Sequence, residues 1–233
     1  MHQLESGEKL IGIDAVEPPG AGPFAAIVLL HGSGGNISFW AERFRAPLRQ
    51  FGIALYAPRY FDRTGTKRAD AATILDGYHF PLWTETVGDA LSWVAARPGV
   101  DAARIALLGI SLGAFLAVAR GHTDPRIRAI LEISGGLPRP SAAVTVPRFP
   151  PTLVVHGEAD TVVPVREAHE LVRWLKSRDV PHQAELLAGE GHWFSPLAQG
   201  RILLAMAAFL GRHLADGRAS SPAGQGLRRT ETA

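Results

Sequence analysis

Arg104-Ile105-Ala106-Leu107-Leu108-Gly109-Ile110-Ser111-Leu112-Gly113-Ala114-Phe115-Leu116-Ala117-Val118-Ala119-Arg120 is the stretch from which the rest of this chain can be read. Arg104 to Leu108 is an apolar run of strand length, Ala114 to Arg120 is an alanine-rich run of helix formers, and G-x-S-x-G stands between them. A serine held on a very tight strand-to-helix turn adopts a strained backbone conformation, and side chains two residues before and after it would collide. Glycine at 109 and 113 removes those collisions. The pentapeptide alone arises by chance; a strand before it and a helix after it give Ser111 the context of an activated nucleophile.

A serine hydroxyl is a poor nucleophile at neutral pH and needs a base within hydrogen-bond reach, oriented by a third group. Leu153-Val154-Val155-His156-Gly157-Glu158-Ala159-Asp160 is an apolar strand that breaks into a glycine turn and then presents a carboxylate. Gly189-Glu190-Gly191-His192-Trp193 is a second glycine-punctuated loop, after the strand-like Gln183 to Leu187. The roles follow from charge: His192 takes the proton of Ser111 and returns it to the leaving group, because imidazole titrates nearest neutrality, and Asp160 holds the ring in the correct tautomer. Taken singly, Asp160 could close a turn and His192 could be a surface histidine; together with Ser111, in the chain order Ser, Asp, His, they read as a triad.

Negative charge developing on a carbonyl oxygen needs donors. His31-Gly32-Ser33-Gly34-Gly35 follows the apolar run Phe24 to Leu30, and backbone amides can converge in such a loop because no side chains crowd them. One donor is assigned to the amide of Leu112 and the other to that of Ser33, with Gly34 as the alternative. Loss of one such donor costs about 3 to 4 kcal/mol of transition-state stabilisation in enzymes where it has been measured. These glycines do not read as a phosphate loop, because the P-loop lysine with its Ser/Thr and the G-x-G-x-x-G spacing are missing.

Outward from these motifs, short strand-like runs alternate with helical patterns. Strands are expected at 10–16, 24–30, 53–57, 104–109, 127–133, 152–156 and 183–187, and helices at 37–50, around Val87 to Ala95, at 112–120, around Ala168 to Leu175 and at 196–214. This alternation implies an α/β fold, a mainly parallel sheet with helices on both faces. In such a sheet the strand carboxyl ends share one edge, so loops carrying His31, Ser111, Asp160 and His192 can converge there.

These motifs resemble the α/β-hydrolase superfamily and, within it, the dienelactone hydrolase-like group, from about Phe24 to Leu214. His31 to Gly35, Gly109 to Gly113, His156 to Asp160 and Gly191-His192 stand where that superfamily carries its oxyanion loop, nucleophile, acid and base, and Pro58-Arg59-Tyr60-Phe61-Asp62 is similar to a stretch that follows a strand in that group. The name-giving members use a cysteine nucleophile, whereas this chain contains no cysteine. The resemblance with serine in place implies cleavage of small carboxylic esters or related acyl compounds through an acyl-enzyme. Acyl transfer or peptide hydrolysis on the same groups, and a non-catalytic ligand-binding relative, are the alternatives.

The remaining expectations concern walls, partners and place. Tyr60, Phe61, Trp83, Trp193 and Phe194 are candidate pocket walls for a small apolar or aromatic acyl substrate, with core packing as the competing use. Arg59 suits either a substrate carboxylate or a salt bridge. Gly135 to Pro151 is too short for a large lid. His31 and His156 read as structural, the other histidines lack metal-ligand spacing, and no metal or cofactor is expected. Of the net charge of +2, all lies from Gly217 onward; residues 1–216 balance at 21 basic and 21 acidic side chains, which argues against a nucleic-acid surface. The first residues lack a basic start and an apolar core, and no apolar stretch approaches the roughly 20 residues that span a bilayer. A soluble, cytoplasmic protein is expected, with residues 1–214 as one domain and 215–233 as a disordered tail, acting on a small-molecule acyl substrate and water.

Overall fold

The computed structural model describes residues 2–139 and 147–215. The tail expected at 215–233 therefore falls, apart from Ala215, outside the described residues. An eight-stranded sheet runs in the order β1 (His2–Ser6), β2 (Lys9–Val16), β4 (Ile53–Pro58), β3 (Phe24–Leu30), β5 (Val100–Ile110), β6 (Ile127–Ile133), β7 (Thr152–Gly157) and β8 (His182–Leu187). The pairs β1 with β2 and β2 with β4 are antiparallel; β4, β3 and β5 to β8 are mutually parallel. The helices are α1 (Ile37–Gln50), α2 (Ala71–Leu75), α3 (His79–Ala95), α4 (Leu112–Gly121), α5 (Arg166–Lys176) and α6 (Pro196–His213), with a 3-10 turn at Tyr60–Arg63.

The central strands β3 and β4 are apolar and buried nearly throughout because both faces of the sheet are covered there. Side chains alternate between the faces at period two. Ala26, Val28 and Leu30 of β3 join Ile105 and Leu107 of β5 in a core closed by Trp83, Val87 and Leu91 of α3, Leu116 of α4 and Leu171 of α5. Ala25, Ile27 and Leu29, with Ala106, Leu108 and Ile110, form the other core beneath Phe44 and Leu48 of α1 and Ile202, Met206 and Phe209 of α6. The start of α6 is set by Ser195, whose hydroxyl accepts the N–H of Ala198, followed by Pro196 in the first turn, where its missing N–H leaves no bond unmade.

Two elements, β1 and α2, are not among those expected. Residues 2–6 form an edge strand turned back on β2 through Gly7, whose φ of 54° suits a tight hairpin. One inward position of β1 is Ser6, bonded to Thr86 at 3.0 Å and to Asp89 at 2.6 Å on α3, so the strand shows little apolar alternation. Among the described residues no helix lies between β6 and β7 and no separate lid covers the strand ends. No described helix is long and apolar enough to cross a membrane.

Candidate active site

Ser111 is the N-cap of α4, with φ 55° and ψ −118°, a left-handed conformation that non-glycine residues seldom adopt. Two backbone features hold it there. Its N–H donates to the carbonyl of Ile133 at 2.8 Å, and its carbonyl accepts the N–H of Ala114 at 2.9 Å. The glycines are steric necessities: a Cβ on Gly109 would lie 2.3 Å from the Gly113 carbonyl oxygen, and one on Gly113 would lie 2.2 Å from that of Leu30. Leu112 opens α4, so its N–H is one of the amides at a helix start that have no partner within the helix and carry its positive end.

The loop after β3 runs alongside. A Cβ on Gly32 would come within 3.3 Å of Ser111 Cβ and 3.8 Å of its Oγ, which places this loop against Ser111. The Ser33 carbonyl accepts from Ala69 at 2.9 Å and the Gly32 carbonyl from Gly35 at 3.1 Å; among the described residues no bond takes the N–H of Ser33 or Gly34. His31 supports the loop from below. Its Nδ1 donates to the Gly32 carbonyl at 2.7 Å, its ring stacks on Tyr60 at 4.1 Å, and burial pulls its pKa down to about 4, so it stays neutral. Tyr60 Oη donates to the His31 carbonyl at 2.6 Å.

Asp160 is buried in the turn after β7. One oxygen, Oδ1, accepts the N–H groups of Val162 at 2.8 Å and Val163 at 2.9 Å; the other, Oδ2, accepts from His192 Nδ1 at 2.7 Å. That bond fixes the proton on Nδ1 and leaves Nε2 of His192 as the basic nitrogen. The neighbouring His156 Nε2 donates to the Val163 carbonyl at 2.8 Å and lies 3.4 Å from Asp160 Oδ2; desolvation lowers its pKa, as suits a neutral structural histidine. The loops of Asp160 and His192 are stitched together: Ala159 N–H donates to the Glu190 carbonyl at 2.8 Å, and a Cβ on Gly157 would strike that same oxygen at 2.3 Å.

The structure thus brings Ser111, Leu112, Ser33, Asp160 and His192 to one edge of the sheet. The carboxylate-to-imidazole contact is made; among the described residues no hydrogen bond joins Ser111 Oγ to His192. Such contacts are often long without substrate and tighten in the reacting complex.

The expected walls divide. Tyr60 and Trp83 have no exposed surface and Phe61 only 4%, and their polar atoms are used internally, Trp83 Nε1 donating to Thr64 Oγ1 at 2.9 Å. These three rings belong to the core beside the loop after β3, not to an exposed surface; an aromatic residue just after a strand serves either use, and burial decides between them. Trp193, by contrast, is 71% exposed beside His192 and lies parallel to Trp40, ring centroids 6.3 Å apart. Arg59 takes the salt-bridge alternative, 2.9 Å from Asp14. Among the described residues no cluster of three or more His, Asp or Glu could hold a metal ion.

Two residues given no role in the sequence reading matter. Glu132 of β6 pairs in register with Gly109, is fully buried, and accepts the Gly135 N–H through Oε1 at 2.6 Å, while Oε2 has no hydrogen-bond partner among the described residues; burial pushes its pKa up to about 8. A lone carboxyl inside the apolar run Ile127–Ile133 was its signal. Glu190 accepts the Ser195 N–H at 2.7 Å and its hydroxyl at 2.6 Å, closing the His192 loop on the start of α6. A glutamate in a glycine loop gives no such signal.

The model of the dienelactone hydrolase family matches residues 13–203. A stretch of 118 residues, 51% of the chain, is 32% identical to acyl-coenzyme A thioesterase 5 of Mus musculus; it spans about a quarter of that protein, 25% of its length. Among solved structures, a dienelactone hydrolase-like promiscuous phosphotriesterase from metagenomic libraries superposes with a TM-score of 0.76 at 21% identity, over 91% of this chain and 96% of that one. An esterase of Pyrobaculum calidifontis superposes with a TM-score of 0.72 at 18% identity, over 92% and 85% of the two chains. At these identities the structural likeness concerns the fold.

Proposed function

The chain belongs to the dienelactone hydrolase family, and from that premise we propose that it hydrolyses small carboxylic esters through an acyl-enzyme on Ser111. The observation that carries this is the 2.7 Å contact of His192 Nδ1 with Asp160 beside a serine on a strained strand-to-helix turn. His192 Nε2 accepts the Ser111 proton as Oγ attacks the carbonyl carbon. The oxyanion that forms accepts hydrogen bonds from the amides of Leu112 and Ser33. Collapse expels the alkoxide, which takes the proton from His192, and leaves the acyl group on Oγ. Water then gives a proton to His192 and attacks the acyl carbon, and return of that proton to Oγ frees the acid.

Serine in place of the family's cysteine fits oxygen esters, and the stretch similar to a thioesterase extends the reading to thioesters. Replacing Ser111 with Ala should lower turnover of p-nitrophenyl acetate by about ten-thousandfold or more, with an unchanged circular dichroism spectrum, and should abolish labelling by a fluorophosphonate probe. Wild-type turnover in that variant, or labelling elsewhere, would remove Ser111 from the mechanism. Acetyl thioesters assayed in parallel divide the two substrate classes.

A further inference from the structure

Between the first turns of α1 and α6 the surface opens into a cavity of about 150 Å³. Phe39, Trp40, Phe44, Ile202 and Leu203 make its walls, and Arg43 and Gln199 bridge the two helices beside it. The cavity reaches the strand end beside the proposed reacting groups: Ile110, the residue before Ser111, and His192 both line it.

Size and lining define the occupant. A cavity of about this volume lined by aliphatic and aromatic side chains accommodates a benzene ring. Direction follows from proton transfer. The oxyanion must lie toward Leu112 and Ser33, while the departing oxygen must face His192 to receive its proton, so the group carried on that oxygen passes along the imidazole and toward this cavity. We infer that the cavity between α1 and α6 holds the alcohol half of the ester, and that this alcohol is apolar and about one aromatic ring in size, such as a benzyl group. This rests on the roles proposed above for Ser111 and His192.

The test compares benzyl acetate with methyl acetate, whose alcohols leave with nearly equal ease, and methyl phenylacetate with methyl acetate for the acyl side. The alcohol pair should differ at least about tenfold in kcat/KM in favour of the benzyl ester, and the acyl pair much less. Leu203→Trp, which fills the cavity, and Phe39→Ala, which opens its exposed wall, should each collapse the alcohol ratio toward one. A ratio near one in the wild type, or a preference confined to the acyl pair and removed by Leu203→Trp, overturns the assignment. Fluorophosphonate labelling of Ser111 reads the catalytic roles separately. Should that labelling fail, saturation-transfer NMR with benzyl alcohol still reads the cavity: binding lost in Leu203→Trp supports an apolar alcohol site, and no binding at millimolar concentration overturns it.

Discussion

His192 Nδ1 and Asp160 Oδ2 meet at 2.7 Å across loops already bonded to each other, Ala159 N–H to Glu190 carbonyl at 2.8 Å. The two side chains are therefore brought together by backbone, not by their own attraction. Glu190 adds a second anchor by holding the Ser195 amide and hydroxyl at the start of α6. The His192 loop is built into the scaffold on two sides.

Asp160→Asn separates the electronic from the structural part of that arrangement. The amide oxygen can still accept the N–H groups of Val162 and Val163 that Oδ1 takes now. Its NH2 then faces His192 Nδ1, so the ring must carry its proton on Nε2, where it cannot accept one from Ser111. We expect kcat to fall by about 10⁴-fold with little loss of stability, measured by ester turnover and urea unfolding on the same preparation. Near-wild-type kcat would mean that Asp160 only closes a turn.

Gly113→Ala tests the sterics of the elbow. The added Cβ would stand 2.2 Å from the Leu30 carbonyl oxygen and 2.6 Å from that of His31, both backbone atoms that cannot rotate away. Either α4 moves or the oxyanion loop does. The expected outcome is a stability loss of about 2 to 4 kcal/mol in urea unfolding together with loss of turnover. Full activity with unchanged stability would contradict the packing described here.

Much of this site was legible in the sequence because its constraints are local. Gly109 and Gly113 mark a collision that only glycine avoids, and glycine turns after apolar runs mark strand ends, so Ser111, Asp160 and His192 could be placed on one edge before any coordinates. What could not be read depends on burial. Tyr60, Phe61 and Trp83 look the same in sequence whether they face substrate or core, and the structure puts them beneath His31. The strand β1 was hidden because its inward Ser6 satisfies itself by hydrogen bonds to α3 and not by apolar packing.

Tyr60→Phe asks how firmly the oxyanion loop must be held. The mutation deletes a buried 2.6 Å hydrogen bond to the His31 carbonyl and leaves that oxygen short of a donor, while the ring contact to His31 remains. Stability should fall by about 1 to 2 kcal/mol. If Ser33 is the donor, kcat should drop severalfold with KM little changed, because the interaction strengthens only as the oxyanion forms. A change confined to stability would point to a loop that Tyr60 does not position.

Glu132→Gln exposes a pH dependence hidden in the core. Desolvation raises the folded-state pKa of this carboxyl from the ordinary 4.5 to about 8, against the opposing pull of the Gly135 N–H. Between those values the folded chain binds a proton that the unfolded chain has released, so stability contributed by the neutral form is complete below about pH 4.5 and is lost as pH rises to about 8. The magnitude is on the order of 4 kcal/mol over the whole interval. Glutamine keeps an oxygen for Gly135 and cannot ionise. The stability of the wild type relative to Glu132→Gln, followed by urea unfolding from pH 4 to 9, should therefore decline across this window and level off above it. Parallel curves for the two proteins would show that the carboxyl ionises in the fold as readily as in the unfolded chain, and that its burial beneath Gly135 does not cost what the geometry requires.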